Sequence, residues 1–170
     1  MAAMDECIKE LHGKLSYKVM YGRFPLKILG DTVDLGFTTV RSLKLARALS
    51  GCESALIFGA TVGIGIDRLI SKYSVISPSR AYIFQAIGAE RIESLCDAFI
   101  RDISEDLAKE GLAPRPRFSP GYGDLSLELQ RDIFKALDCE RGIGLTLNAS
   151  LIMSPSKSVT AVVGLYRSEE

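Results

Sequence analysis

The amino-acid sequence predicts an α+β layer fold, and two observations lead to this class. The longest predicted helix lies in the middle of the chain, whereas several apolar segments typical of strands gather near its C-terminus. Helices and strands that are grouped, rather than alternating, favour an α+β layer over a doubly wound parallel sheet. The 170 residues suffice for one domain with a substantial core. We therefore expect a single domain over residues 1–170, in which residues 1–52 carry the weakest pattern.

Periodicity and chain breakers define the predicted elements of the N-terminal half. In order, these are a helix over residues 5–11, a strand over 16–20, a helix over 42–52, a strand over 54–60 and a helix over 64–73. In the second helix Leu43, Ala46 and Leu49 share one face, and Gly51 suits its end. The segment SALIFGA is short and continuously apolar and ends near Gly59, which predicts a buried strand.

The longest predicted helix covers residues 77–111. Ser77 can cap its first turn, Pro78 suits the first helical position, and Gly111 suits the end. Apolar residues recur along it at helical spacing, opposite a charged surface, as expected of a helix on a sheet. They are Phe84, Ile87, Ile92, Leu95, Phe99, Ile103 and Leu107.

The C-terminal part is predicted to hold one amphipathic helix and two strands. The helix covers residues 126–138, and the strands cover residues 143–153 and 158–167. Both strand segments are rich in Val, Ile, Leu and Thr, and residues 154–157 interrupt them.

Composition limits the partners and the compartment. The chain carries 21 basic and 21 acidic residues, which argues against a nucleic-acid or anionic-membrane surface. Its four cysteines are far apart in sequence, which favours free thiols in a reducing compartment. The segment MAAMDECIKE is acidic where a signal peptide is basic, and no apolar run has the length of a membrane span. We therefore expect a cytoplasmic protein without nucleic-acid or membrane partners.

The GATVGIG loop and the single histidine could each hold a cofactor or a metal, but a structural role is the preferred interpretation of both. GATVGIG, residues 59–65, resembles the nucleotide loop of short-chain dehydrogenases, which makes a nucleotide-binding oxidoreductase an alternative function. However, no acidic residue ends a second strand about 20 residues later, so a tight turn is the preferred interpretation.

His12 is the only histidine, and no cysteine or carboxylate cluster accompanies it. We expect His12 at a surface or a helix end, and a protein without a tightly bound metal.

Glu93, Asp97 and Arg101 follow one another at intervals of one helical turn. Such spacing is typical of a solvated helix face with a favourable i,i+4 ion pair. Alternatively, a carboxylate on this face points into a pocket and holds an amine or hydroxyl of a ligand.

RFSPGYGD, residues 117–124, is too rich in proline and glycine for a core element. Its prolines fix backbone dihedrals and its glycines permit positive φ or close approach of a ligand. Arg117 offers a fork of donors suited to a carboxylate, and Tyr122 offers a flat face suited to adenine or ribose. Asp124 is a candidate N-cap of the following helix. A ligand loop and an ordinary capped turn both fit these residues.

The segments RFSPGYGDLSLELQRDIFKAL and GIGLTLNASLIMSPSKSVTAVVGL resemble the activation domain of cobalamin-dependent methionine synthase, especially its free-standing bacterial form. The R-x-x-x-G-Y signature of that family is matched by Arg117, Gly121 and Tyr122. Its M-x-P-x-x-S-V run is matched by Met153, Pro155, Ser158 and Val159. The similarity is strong over residues 117–165 and continues more weakly back to about residue 53.

This resemblance implies an α+β domain with a twisted antiparallel sheet that binds S-adenosylmethionine. In the family, the arginine and tyrosine of the signature contact the ligand, together with backbone groups between them. A glutamate on the long preceding helix also contributes, and it corresponds to Glu93. The implied ligand residues are Glu93, Arg117, Ser119, Pro120, Gly121 and Tyr122.

The resemblance also implies a role in reductive methylation. In the family, an oxidised cobalt is rescued by an electron from a flavodoxin-like or other donor and a methyl group from S-adenosylmethionine. The implied cofactors are thus S-adenosylmethionine and a cobalamin carried by a partner methyltransferase. This chain is then an accessory subunit without a complete active site, and it contributes by positioning. The alternative is a non-catalytic binding or assembly protein with the same fold.

A candidate docking segment is MSPSKS, residues 153–158. Its Pro155 and Lys157 are interpreted as an exposed turn with a positive tip that contacts the corrinoid partner. A plain connection between two strands is the alternative.

Overall fold

The computed structural model describes residues 2–168, which form six helices and nine strands. The helices are α1 (Ala2–Leu11), α2 (Leu43–Ala48), α3 (Gly65–Ile76), α4 (Pro78–Lys109), α5 (Leu129–Leu137) and α6 (Cys139–Ile143). The strands are β1 (Lys18–Pro25), β2 (Lys27–Leu29), β3 (Thr32–Asp34), β4 (Thr39–Arg41), β5 (Ser54–Thr61), β6 (Leu112–Pro114), β7 (Thr146–Leu147), β8 (Met153–Ser154) and β9 (Ser158–Arg167).

Four strands build the main sheet in the order β1, β5, β9, β6, and each neighbouring pair is antiparallel. All eight residues of β5 are buried, as its continuous apolar sequence predicts. The antiparallel sheet and the long helix α4 confirm the predicted α+β class.

Strand β5 contributes side chains to two separate hydrophobic cores, one on each face of the sheet. Leu56, Phe58 and Ala60 pack with buried residues of α1, α3 and α4 in the first core. Ala55 and Ile57 pack with α2, α5 and α6 in the second core. This division follows from the alternation of side chains along a strand.

Helix α4 begins and ends close to the predicted positions. Pro78 occupies its first turn, and Gly111 follows its end with φ +71°. Ser77 precedes the helix, but its hydroxyl contacts Ser79 Oγ at 3.2 Å rather than a backbone N–H. The predicted apolar stripe packs into the first core. Although α4 has 32 residues, no helix within residues 2–168 combines the length and the apolar character needed to span a bilayer.

The predicted strand over residues 143–153 is wrong. The segment instead ends α6 and forms the two-residue strands β7 and β8 around a turn. Asn148 Oδ1 accepts hydrogen bonds from the N–H groups of Ser150 (2.9 Å) and Ile152 (3.0 Å), and Leu151 has φ +63°. An asparagine that bonds to its own following backbone stabilises a turn in place of a strand.

The interpretation of MSPSKS, residues 153–158, as an exposed turn is wrong for Pro155 and only partly right for Lys157, and the contact of this segment with a corrinoid partner stays a prediction. Pro155 is buried, and the N–H of Ser156 donates to Asp67 Oδ2 at 2.8 Å. Lys157 is half-buried, and its methylene groups lie against Gly88 of α4. The turn is therefore fixed to α3 and α4 because both its backbone and its lysine find partners there.

The N-terminal part is more regular than its sequence pattern indicates. Strand β1 is longer than the predicted strand and lies later in the chain, and α2 is shorter than the predicted helix. Strands β2, β3 and β4 form a second antiparallel sheet that the sequence did not indicate. Val33 of β3 is fully buried in the second core, which holds this small sheet on the domain.

Candidate functional site

The loop after β6 runs along the edge of β9 and contains a bulge. The N–H of Arg115 donates to the carbonyl of Gly164 (2.7 Å), and Phe118 and Val162 exchange two backbone hydrogen bonds of 2.8 Å. Two loop residues lie between these pairs and oppose one residue of β9, which makes this a β-bulge whose second residue is Arg117. Bulges redirect side chains at sheet edges, and here Arg117 reaches α4.

A cavity of about 630 Å³ opens between this loop and α4. It is lined by Glu93, Asp97, Ile100 and Arg101 from α4, by Arg115, Pro116, Arg117 and Ser119 from the loop, and by Val159 from β9. Its size is typical of small-molecule sites, which enclose roughly 300–1,000 Å³. Because both carboxylates and guanidinium groups face it, the cavity is suited to a ligand that carries both signs of charge.

Arg117 is the central cation of this cavity. Its Nη2 lies 2.8 Å from Asp97 Oδ1 and 3.1 Å from Glu93 Oε2. The side chain of Arg117 is 23% exposed, whereas those of Glu93 and Asp97 are 61% and 71% exposed. Both carboxylates are therefore solvated, as one of the two interpretations predicts, and both pair with Arg117 of the loop.

The thiol of Cys96 lies on the buried side of α4 next to this arginine. Burial raises the pKa of Cys96 to about 11, against a smaller lowering by Arg117. The thiol is therefore protonated at neutral pH, and carboxylates supply the negative charge around the guanidinium.

The six predicted ligand residues divide into two groups. Glu93, Arg117 and Ser119 line the cavity, while Pro120, Gly121 and Tyr122 continue the loop beyond it. Pro120 is buried, and Gly121 has φ +86°. Tyr122 is 68% exposed, and its ring lies edge-on to Phe118 with centroids 5.3 Å apart. The ring therefore has one side supported by the protein and much of its surface open to solvent.

Asp124 caps a different helix from the one predicted. It accepts hydrogen bonds from the hydroxyl of Ser42 and from the N–H groups of Leu43 (2.8 Å) and Lys44 (3.3 Å) at the start of α2. The bond from Ser42 is the main cause that lowers the pKa of Asp124. Helix α5 begins only at Leu129, too far along the chain for Asp124 to cap it. The carboxylate therefore ties the loop to α2.

Arg115 was missed as a cavity residue in the sequence, and Asp97 and Arg101 were recognised only as part of a helix face. The available signal was the spacing of four residues from Glu93 to Asp97 and again from Asp97 to Arg101, because it puts all three on one side of the helix. Arg115 gave no comparable signal, because the contact that positions its side chain is with a residue distant in sequence. Its guanidinium stacks on the ring of Tyr166, 51 residues away, at 4.3 Å from the ring centroid.

The glycines of GATVGIG serve close packing, as preferred from the sequence. A Cβ at Gly65 would lie 2.0 Å from the carbonyl oxygen of Lys14. Gly63 has φ +87° and lies against the backbone of Ser16, whose N–H donates to the carbonyl of Val62 at 2.9 Å. The segment before β1 therefore occupies the space that a phosphate would need.

His12 is exposed directly after α1, in agreement with its predicted place at a helix end. The four cysteines are free thiols. Within residues 2–168, no group of three or more His, Cys, Asp or Glu side chains is arranged to hold a metal ion. The expected absence of a tightly bound metal stays a prediction.

No family model and no curated protein matches the sequence. The structure is similar to a crystal structure of the MetH reactivation domain bound to AdoHcy, with a TM-score of 0.75. The match covers 99% of this chain and 65% of that chain, at 15% sequence identity. This likeness shows the fold, and it confirms the activation-domain fold predicted from the sequence. It also extends that fold to the N-terminal residues, where the sequence pattern was weakest.

Proposed function

We propose that this protein binds S-adenosylmethionine in the cavity between α4 and the loop after β6. It would then act as an activation subunit for the cobalamin of methionine synthase or a related corrinoid methyltransferase. The observation that carries the proposal is the placement of Arg117 on this cavity. The fold is one in which a solved domain holds AdoHcy.

The charged groups of the cavity are complementary to the amino-acid end of such a ligand. The guanidinium of Arg117 can donate two parallel hydrogen bonds to a carboxylate. Glu93 accepts from an ammonium group, and its Oε2 lies 3.1 Å from Arg117 Nη2, so both ends of a zwitterion find a partner within one small region.

We assign the adenosine part of the ligand to the loop beyond Arg117. Ser119 lines the cavity, and the exposed ring of Tyr122 offers a flat face with a hydroxyl at its end. Pro120 and Gly121 connect the two and supply backbone groups at short distance from a bound ligand.

The contribution of this chain is positioning. The methyl donor supplies the methyl group, a separate donor supplies the electron, and the partner methyltransferase carries the cobalamin. The residues of the cavity bind the donor, orient it and hold its sulfonium end open to the partner, which is an effect of proximity and orientation. The free thiols and balanced charge support a cytoplasmic setting for this activity.

Calorimetric titration with S-adenosylmethionine and S-adenosylhomocysteine tests the binding step. Replacement of Arg117 by Ala should weaken binding by roughly 1.5–3 kcal/mol, the scale of hydrogen bonds to a charged group. Arg141→Ala is the matched control, because Arg141 on α6 is 87% exposed and its contact with Asp138 is long, at 3.9 Å. Wild-type protein that binds neither compound at millimolar concentration would contradict the proposal.

One observation favours the alternative of a non-catalytic assembly protein. Arg117 already has two carboxylate partners within its own chain, as expected if the pair serves the fold instead of a ligand. The same titration separates the two functions, because an assembly protein gives no saturable heat with either compound.

A further inference from the structure

We infer that Asp97 competes with the carboxylate of a ligand for Arg117 and so lowers the affinity of the cavity for ligands that bear a free carboxylate. Asp97 holds Arg117 in the ligand-free protein, and only a competing carboxylate displaces it. The inference rests on the proposed function and concerns the selectivity of the same cavity.

Arg117 Nη2 is engaged twice in this structure. Its contact with Asp97 Oδ1 is the shorter, at 2.8 Å, against 3.1 Å for Glu93 Oε2. A guanidinium nitrogen carries only two protons, so an incoming carboxylate that binds there must displace one of these partners.

The neighbours of the two carboxylates decide which one leaves. The residue one turn after Glu93 is Asp97, a like charge, so a released Glu93 would face repulsion along α4. The residue one turn after Asp97 is Arg101, which lines the same cavity. An acidic residue four positions before a basic one is the favourable order on a helix.

Arg101 is available for this exchange. Its carboxylate contact is Asp102 at 3.9 Å, and both side chains are more than 70% exposed. Pairs of this kind contribute little. Asp97 can therefore move from Arg117 to Arg101, while Glu93 stays in place for the ammonium group of the ligand.

This exchange favours some ligands over others. A ligand with a carboxylate replaces Asp97 on Arg117 and gains a charge-assisted contact. A ligand without one leaves Arg117 bound to Asp97 and gains nothing from it. Asp97 thus lowers affinity for the first class by the strength of one exposed ion pair and brings no such penalty to the second.

The test compares wild type with Asp97→Asn by calorimetry, using S-adenosylhomocysteine and its decarboxylated form, which keeps the ammonium group. We expect Asp97→Asn to bind S-adenosylhomocysteine about two- to fivefold more tightly, the range for an exposed ion pair. It should bind the decarboxylated compound no more tightly than wild type does. Asp106→Asn is the matched control, because it removes the same charge from α4 at an exposed pair with Lys109. This control should leave both affinities unchanged.

Substitution of Arg101 provides a second test of the same inference. Arg101→Gln should weaken binding of S-adenosylhomocysteine about twofold in the wild-type background, since the displaced Asp97 loses its new partner. The same substitution should have no effect when Asp97 is already Asn, which is the signature of coupling in a double-mutant cycle.

The outcomes distinguish this inference from the function on which it rests. Equal affinity of Asp97→Asn and wild type for S-adenosylhomocysteine, or an equal gain for both compounds, overturns the role of Asp97 and leaves the proposed function standing. Failure of both proteins to bind S-adenosylhomocysteine overturns both. Circular dichroism checks that the exposed, nearly isosteric substitution leaves the fold intact.

Discussion

Individual side chains set the electrostatic character of the cavity. Arg117 lies between carboxylates on α4 and a buried, protonated thiol, Cys96, so its positive charge is compensated from the solvent side only. Glu93 and Asp97 are both more exposed than the guanidinium with which they pair.

Another residue whose surroundings dictate its identity is Gly65, at the start of α3. Gly65→Ala should lower the free energy of unfolding by about 1–3 kcal/mol, the usual cost of overpacking, because the added Cβ meets the carbonyl oxygen of Lys14. Gly59→Ala is the matched control, since its nearest neighbour would be Cys139 Sγ at an ordinary 3.4 Å. Urea denaturation measures both. Equal stability of the two variants would show that the GATVGIG loop has room for a ligand after all.

At the scale of elements, α1 depends on its attachment to α3 and α4. A helix of ten residues is marginal by itself in water. Glu10 supplies much of the attachment, because it accepts hydrogen bonds from Tyr73 Oη (2.7 Å), Lys72 Nζ (3.0 Å) and Arg80 Nη2 (3.2 Å). Cys7 and Leu11 add apolar contacts to the first core.

This attachment should depend on pH. The hydrogen bond from Tyr73, together with Lys72, lowers the pKa of Glu10 below its ordinary 4.5, although burial opposes the shift. The unfolded chain therefore binds more protons near pH 4, and the stabilisation is complete at neutral pH and is lost as the pH falls below 4.5. Glu10→Gln should cost about 1–2 kcal/mol at pH 7, the scale of hydrogen bonds to a charged group, and much less at pH 3.

Thermal melts of wild type and Glu10→Gln between pH 3 and pH 7 measure this difference. Glu6→Gln is the control. Glu6 is 64% exposed, and its contact with Arg80, at 3.6 Å, is longer than those of Glu10. A gap between wild type and Glu10→Gln that stays constant with pH would contradict a role for the carboxylate charge.

The elements differ in how far their sequences predict them. Helix α4 was predictable because its apolar stripe runs over many turns between Pro78 and Gly111, and β5 because it is continuously apolar. Strand β1 was only partly predictable, because it lies at a sheet edge, where residues that weaken a strand pattern, here Gly22 and Pro25, are tolerated. The three-residue strands of the small sheet are too short to show a period.

The candidate site was predictable in its residue types and less so in its contacts. The signature loop and Glu93 were found from sequence, but the pairing of Asp97 with Arg117 joins residues 20 positions apart. That pairing depends on the bulge, which is set by the register between the loop and β9. Register of this kind follows from tertiary pairing and leaves no local pattern in the sequence.

For the whole molecule, the position of the cavity agrees with a role in presenting a ligand to another protein. The cavity lies between the long helix and one edge of the main sheet, and it is open to solvent although its Ile100 and Val159 pack against the first core. A bound ligand would therefore be reachable from outside without unfolding any element. The chain spans 65% of the length of the solved structure to which it is similar. The partners named above are therefore a proposal, which depends on the residues of this cavity.

The corresponding prediction concerns reactivation in trans. Added to an oxidised corrinoid methyltransferase with an electron donor and S-adenosylmethionine, the protein should accelerate return to the methylated state. The loss of the oxidised cobalamin absorbance measures the rate. Arg117→Ala should lose most of the acceleration and Arg141→Ala should keep it. The same rate with and without this protein, for every candidate corrinoid partner, would contradict the activation role.

The hydrogen bonds of Asp124 have a consequence for protein engineering. Because this carboxylate is bound at the start of α2, the loop cannot be treated as an autonomous eight-residue cassette. A graft of residues 117–124 onto another scaffold would leave the carboxylate without its donors and the loop without its anchor. The smallest transplantable unit comprises the loop, the edge of β9 that pairs with it, and the Ser42 end of α2, three segments distant in sequence and joined only by the fold.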